Sequence, residues 1–208
     1  MKLHKLWHWL LNPPDDAPSG TILLRLMAGG VFLWEGILKF VYVNQGLGRF
    51  AKLGFPFPQP TATFVGSLEI VGGILFITGF LTRLIAVPFI IEMCVAILST
   101  KIALYLGNSP LPLPPVPPQV GLWAVLHEVR SEYAQLMTSV FLLIAGPGVW
   151  SLDAMLARGR RESSEQQMRR LQYKLKKEPG AAALERRRSR KVIRLMMGKL
   201  SSAYREGV

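Results

Sequence analysis

The chain has 208 residues, of which 50% are hydrophobic and 18% charged, and its mean hydropathy is +0.29. This composition is too apolar for an ordinary water-soluble helical domain and too interrupted for one continuous core, which favours helices embedded in a membrane. The single cysteine, Cys94, excludes an intramolecular disulfide framework and a metal site built from cysteines. Most of the net charge of +12 lies beyond residue 153, where 16 lysines and arginines outnumber 5 acidic residues.

Residues 1–20 form the first predicted segment. Trp7 and Trp9 belong to an apolar run that is too short to span a membrane, and no small-residue cleavage site follows it. Tryptophan is enriched where a bilayer meets water. We therefore expect an interfacial N-terminal anchor rather than a signal peptide.

Four apolar stretches follow, at about residues 21–43, 64–80, 84–106 and 133–150. A helix needs about 20 residues to cross roughly 30 Å of hydrocarbon. The sequence therefore predicts an all-α integral membrane protein, in which residues 21–153 form a four-helix bundle and residues 154–208 a basic, partly helical tail.

Charge asymmetry predicts the orientation of the four spans. The basic tail and Arg83, in the tight turn between the second and third spans, favour the cytoplasmic side for both termini. Arg49, Lys52 and Arg130 lie on the opposite side and argue against this orientation, but the tail outweighs them. The expected location is the inner membrane of a bacterial cell.

Six ionisable residues within the apolar stretches are the candidate site: Arg25, Glu35, Lys39, Glu69, Glu92 and Lys101. A charge at the centre of a bilayer costs about 2.5–3.5 kcal/mol, so such residues usually pair or mark a functional path. Counting about 1.5 Å of rise per residue predicts two layers. Arg25 and Glu92 form the inner layer and the other four residues the outer one. The cluster is either a structural network that fixes helix register or a ligand or proton site.

The order of short motifs along the chain resembles the DoxX family. After Arg25 come Gly36-Ile-Leu-Lys39, Gly66-Ser-Leu-Glu69, Gly79-Phe-Leu-Thr82-Arg83, Gly146-Pro147-Gly148 and Ser151-Leu152-Asp153. The resemblance covers about residues 20–155 and implies a four-helix membrane bundle. It also implies a link to membrane redox complexes, since the family name comes from a subunit of a thiosulfate:quinone oxidoreductase, although many members have no established reaction.

Redox cofactor motifs are not evident in the sequence, which has no Cys-x-x-Cys, no iron–sulfur spacing and no Gly-x-Gly-x-x-Gly after a strand. An oxidoreductase role would need a quinone or a cofactor held by a partner. Glu35, Lys39 and Glu69 could supply hydrogen bonds and a proton relay to a quinone head group. We therefore expect an accessory or quinone-associated subunit of a membrane redox complex. The alternatives are a small-solute or proton carrier and a scaffold that recruits partners through the tail.

Two features of the predicted outer loops are further candidates. The aromatic turn of Phe55, Pro56 and Phe57 either covers the outer charged layer or lies in the interface as an aromatic belt. His127, Glu128 and Glu132 lie close together in sequence, but three residues do not establish ligand geometry. We expect a solvated surface there and no metal site.

The tail is predicted to bind anionic lipid through its basic residues, and an acidic protein is an alternative partner. Its densest basic run comprises Arg186, Arg187, Arg188, Arg190 and Lys191. Basic amphipathic segments next to a membrane usually meet anionic lipid. Nucleic acid is a less favoured alternative: the arginines would suit phosphates, but the sparse aromatic residues of the tail argue against sequence readout. A four-span bundle is small for a solitary pore, so we also expect protein partners or oligomers.

Overall fold

The computed structural model describes residues 3–11 and 17–177, which form helices and connecting segments without a β-strand. The helices in chain order are α1 (Leu3–Leu11), α2 (Thr21–Val41), α3 (Leu47–Lys52), α4 (Pro58–Thr78), α5 (Thr82–Leu106), α6 (Gly121–Glu128), α7 (Arg130–Ala145) and α8 (Leu152–Lys177). The chain divides into two units, Met1–Arg158 and Gly159–Val208. The predicted all-α fold class is confirmed.

Three of these helices are long and apolar enough to cross a membrane. They are α2 and α4, with 21 residues each, and α5, with 25. They coincide with the first three predicted spans, but α4 begins earlier than expected, at Pro58. Proline is well suited to the first helical position because its missing N–H has no intrahelical partner there. The protein is therefore an integral membrane protein.

The fourth predicted span corresponds to α7, which has 16 residues. At about 1.5 Å per residue it is shorter than a hydrocarbon core of roughly 30 Å. It ends earlier than predicted because Gly146 adopts a positive φ of 87° and Pro147 follows directly. A fourth membrane crossing stays a prediction.

The core lies where α2, α4, α5 and α7 pack together. Its centre is an aromatic cluster in which the rings of Phe32 and Phe89 stack with centroids 3.6 Å apart. Phe76 meets both rings edge-on, at 6.3 Å and 5.0 Å. Leu142 brings α7 into the same buried cluster. One aromatic side chain from each of α2, α4 and α5 thus holds the three apolar helices together.

Glycines allow α2 and α4 to approach each other closely. A Cβ added to Gly29 would lie 2.7 Å from the carbonyl oxygen of Gly73, and one added to Gly36 would lie 2.8 Å from that of Gly66. Both contacts are with backbone atoms, which cannot rotate away. Close approach through small residues is typical of membrane helices.

Gly29 and its neighbour Gly30 provide a matched test of this packing. We expect Gly29→Ala to lower the free energy of unfolding by about 1–3 kcal/mol, the usual cost of overpacking. Gly30→Ala would meet only the ring of Trp34, at 3.4 Å, and should be neutral or stabilise α2 by up to about 1 kcal/mol. Thermal unfolding in detergent, followed by circular dichroism, measures both. Equal effects of the two substitutions would contradict a specific α2–α4 contact.

Arg83 attaches α1 to the rest of its unit. The guanidinium lies 4.1 Å from the centre of the Trp9 ring and donates a hydrogen bond of 3.2 Å to the Trp9 carbonyl oxygen. It also donates a bond of 2.6 Å to the carbonyl oxygen of Ile144 at the end of α7. Arg83, predicted only as an orientation signal, therefore also joins three helices.

Candidate functional site

Arg25 lies in a cage of backbone carbonyl groups. Its side chain is buried, and it donates hydrogen bonds of 2.8–3.0 Å to the carbonyl oxygens of Phe76, Ile77, Pro147 and Trp150. The first two belong to the last turn of α4, where carbonyls are not fully satisfied within the helix and carry the negative end of its dipole. Arg25 therefore joins α2 to the end of α4 and to the segment after α7.

The Ser-Leu-Asp motif completes this end of the bundle. The Asp153 carboxylate accepts hydrogen bonds from the backbone N–H groups of Leu81 and Thr82, at 3.0 and 3.1 Å, and so caps the start of α5. Ser151 accepts a bond from the Ala154 N–H and so caps the start of α8. These interactions hold helix ends in place. Arg25 and the Ser-Leu-Asp motif therefore have a structural role.

Lys39 and Glu69 form an ion pair between α2 and α4. The ammonium lies 2.8 Å from one Glu69 carboxylate oxygen and 2.6 Å from the other, and the two side chains are 13% and 4% exposed. Both residues lie within apolar membrane helices. A charge pair placed there satisfies the requirement that intramembrane charges be neutralised locally.

Two further carboxyl groups adjoin this ion pair. Glu92 of α5 adjoins the Glu69 carboxyl, and Glu35 is close enough to Glu69 to interact with it electrostatically. Glu92 Oε2 is buried and has no hydrogen-bond partner among the described residues. We name Glu35, Lys39, Glu69 and Glu92 the carboxylate cluster.

The carboxylate cluster has more acidic than basic groups. Three carboxyls share one ammonium, so full ionisation would leave uncompensated negative charge in a low-dielectric interior. Two adjoining carboxyl groups interact favourably only when one carries a proton, because ionised carboxylates repel each other and only accept hydrogen bonds. The arrangement is therefore chemically suited to binding and releasing a proton.

Lys101 lies apart from this cluster. Its ammonium pairs with Glu132 at the start of α7, with 2.9 Å between the charged atoms. Glu132 also accepts a hydrogen bond from Ser131. His127, on α6, contacts Arg130 instead. The described residues contain no group of three or more side chains placed to hold a metal ion.

The structure corrects the predicted two-layer arrangement. Glu92 was expected beside Arg25 but faces Glu69, and Lys101 was expected in the outer layer with Glu69 but binds Glu132. Counting residues predicts depth along a helix axis and not which helix a side chain faces. Arg25 has no need of a carboxylate in contact, since four of its five N–H donors bind carbonyl oxygens.

The buried face of α7 is polar, a feature that the sequence analysis missed. Gln135, Thr138 and Ser139 are buried, and Gln135 donates a hydrogen bond of 3.3 Å to the Ala28 carbonyl oxygen. Gln135 Oε1 and Ser139 Oγ have no partner among the described residues. The signal was present as polar residues spaced three and four apart opposite an apolar stripe.

The remaining candidates lie elsewhere. Phe55 packs edge-on against Phe50 of α3, with ring centroids 5.4 Å apart, whereas Phe57 is 79% exposed. A role of this turn as a cover for the charged residues stays a prediction. The basic run from Arg186 to Lys191 lies outside the described residues.

Comparison with known proteins identifies relatives across most of the chain. The DoxX family signature matches residues 20–102. The uncharacterized membrane protein Rv3486 of Mycobacterium tuberculosis is 40% identical over 153 residues, which cover 73% of this chain and 89% of that protein. The Bacillus subtilis protein named "Putative oxidoreductase CatD" is 26% identical over 146 residues, or 70% of this chain and 92% of that one. No solved structure matches the chain significantly. The resemblance noted in the sequence is thus confirmed, and the chain belongs to the DoxX family.

Proposed function

We propose that this protein is a quinone-associated subunit of a membrane redox complex, with its carboxylate cluster as the proton-exchanging site. The observation that carries the proposal is the position of the Glu92 carboxyl beside the ion pair of Lys39 and Glu69. Conversion of a quinone to a quinol takes up two electrons and two protons. The electrons would come from a redox cofactor of a partner subunit, and the protons would pass through Glu92.

The chemistry of the cluster fits a quinone head group. The ammonium of Lys39 has three donors, of which one binds Glu69 Oε1 and a second lies near Oε2. The third could bind a quinone oxygen. A carboxylic acid positioned within reach of a reacting oxygen typically accelerates proton transfer by about 10²–10⁴-fold. The name of the Bacillus subtilis relative, which describes an oxidoreductase, supports the same class of function.

The proposal includes an environment and partners for the complex. We place the protein in a bacterial inner membrane with both termini in the cytoplasm, since the basic tail and Arg83 favour that side. The exposed apolar helices leave room for contacts with other subunits. The tail would bind anionic lipid or recruit partner proteins.

Glu92→Gln tests this function directly. The amide keeps the size of the side chain and can still hydrogen-bond Glu69, but it cannot release a proton at neutral pH. We expect the complex, purified in mild detergent with its natural partners, to assemble normally and to lose quinone reduction by about 10²-fold or more. Glu128→Gln, which removes a carboxylate on α6, is the matched control. Unchanged quinone reduction by an intact Glu92→Gln complex would refute the proposal.

A proton carrier is the second candidate, and the unpartnered atoms of Glu92, Gln135 and Ser139 favour it. Buried polar atoms without protein partners usually bind ordered water, and water inside a bundle can conduct protons. Proton flux into vesicles that contain only this protein distinguishes the two functions. Flux that Glu92→Gln abolishes, with no quinone or protein co-purifying, would favour the carrier.

A further inference from the structure

The outer helix α6 carries an exposed face that the proposed function does not use. Trp123 and Leu126 are 73% and 50% exposed, and His127 and Arg130 follow them on the same side at helical spacing. Ala124 is fully buried on the opposite side, which packs against α5. The exposed face of α6 thus carries large apolar side chains. On a helix that faces water, the exposed face would be polar instead.

These four residues and Pro118 line an open groove of about 600 Å³. One end of the groove is apolar and aromatic, and the other end is cationic. Arg130 Nη2 lies 3.2 Å from His127 Nε2, and Arg130 forms no ion pair within the part of the chain that the structure describes. The nearest acidic residue along α7, Glu132, is already paired with Lys101. The guanidinium therefore has donors available for an anion.

The depth of the groove along the bundle points to lipid. Val120, which precedes α6, lies against Gly107 at the end of the apolar helix α5, where that helix would leave the hydrocarbon. The pair of Lys101 and Glu132 joins the same end of α5 to the start of α7. The groove accordingly lies at the level of the membrane surface.

The groove also continues into an exposed apolar stripe on α7. Tyr133 follows Arg130 by three residues, and Met137, Phe141 and Ile144 extend the same exposed apolar line along the helix. An acyl chain lying along this stripe would end with its head group at Arg130. Arginine binds phosphate through several N–H groups at once, and aromatic residues gather at this depth of the bilayer.

We propose that the groove of Pro118, Trp123, Leu126, His127 and Arg130 binds a membrane phospholipid. The phosphate lies at Arg130, beside Trp123 and Leu126, and an acyl chain lies along Tyr133 and Met137 of α7. The bound lipid would hold α6 at the membrane surface. This site is separate from the carboxylate cluster, so the lipid proposal does not depend on the proposed redox function.

Trp123 reports on the apolar end of the groove. The full chain with Trp123 as its only tryptophan, made by replacing Trp7, Trp9, Trp34 and Trp150 with Phe, would be placed in bilayer nanodiscs. We expect phosphatidylcholine brominated near the head group to quench its fluorescence strongly and aqueous iodide to quench it little. Quenching by iodide alone would overturn the proposal, and so would protection of Trp123 by a co-purifying protein.

Arg130→Gln tests the cationic end. Native mass spectrometry of the detergent-purified protein would count retained phosphatidylglycerol, with Arg49→Gln on α3 as the matched control. We expect the parent chain and Arg49→Gln to retain lipid equally and Arg130→Gln to bind it about ten-fold more weakly. Arg130 is exposed, so circular dichroism should show an unchanged fold. Equal retention by Arg130→Gln would overturn the proposal, as would displacement of the lipid by inorganic phosphate alone.

Discussion

Arg25→Met should prevent the membrane domain from folding stably. The substitution leaves the carbonyl groups of Ile77, Pro147 and Trp150 without their buried donor, and that of Phe76 with the Gly79 N–H alone. Each unsatisfied buried group costs about 1–3 kcal/mol, and the total rivals the roughly 5–15 kcal/mol by which a typical protein is stable. We expect little protein to accumulate, and the part that does to unfold far below the parent temperature.

Arg25→Lys and Arg158→Gln make this test specific. Lysine keeps the charge but has three donors on one nitrogen and cannot reach carbonyls on both sides of the cage, so an intermediate loss of stability is expected. Arg158 is exposed, and its replacement should change the unfolding temperature little. If Arg25→Met unfolded in detergent at the same temperature as the parent protein, water would replace the guanidinium without loss of stability, and the prediction would be wrong.

Lys39→Met should destabilise the protein by about 3–5 kcal/mol, the usual cost of removing one member of a buried ion pair. It leaves Glu69 beside Glu35 and Glu92 with no cation in contact. Glu69→Gln should cost less, because Lys39 retains Glu35 one turn away on the same helix. The double variant Lys39→Met/Glu69→Gln should recover most of the loss, since no unpaired charge of the pair remains.

This double-mutant cycle also separates structure from function in the carboxylate cluster. The free energies of unfolding of the four proteins, measured by chemical denaturation in detergent, report the coupling energy between the two side chains. A double variant that folds well and still reduces quinone in its complex would assign the pair a structural role only. Additive losses would contradict a direct interaction between Lys39 and Glu69.

Helix content and membrane character were predictable because they depend on properties that are local in sequence. Apolar runs long enough to cross a bilayer identified α2, α4 and α5, and the motifs from Arg25 to Asp153 identified the family. Helix ends were less predictable. Pro58 extends α4 at its start, and Gly146 ends α7 early, because caps depend on single backbone conformations.

Pairing among the charged residues was only partly predictable. Lys39 and Glu69 were correctly assigned to one group, since adjacent antiparallel helices place them at similar depth. The partners of Arg25 could not be foreseen. Three of the six predicted charges are acids, which suggested ion pairs. The guanidinium instead binds carbonyl groups, whose positions depend on where helices end. Asp153 was visible as a motif but not as the cap of α5.

The amino-acid sequence by itself determined that the chain is a helical membrane protein of the DoxX family with charges inside its apolar helices, because hydropathy and motif order are properties of the chain alone. The tertiary structure decided which charges meet. Glycine contacts set the separation of α2 and α4, and the rotation of each helix directs Glu92 towards Glu69 and Lys101 towards Glu132. Side-chain partners depend on helix rotation and separation, which arise only when all the helices pack together.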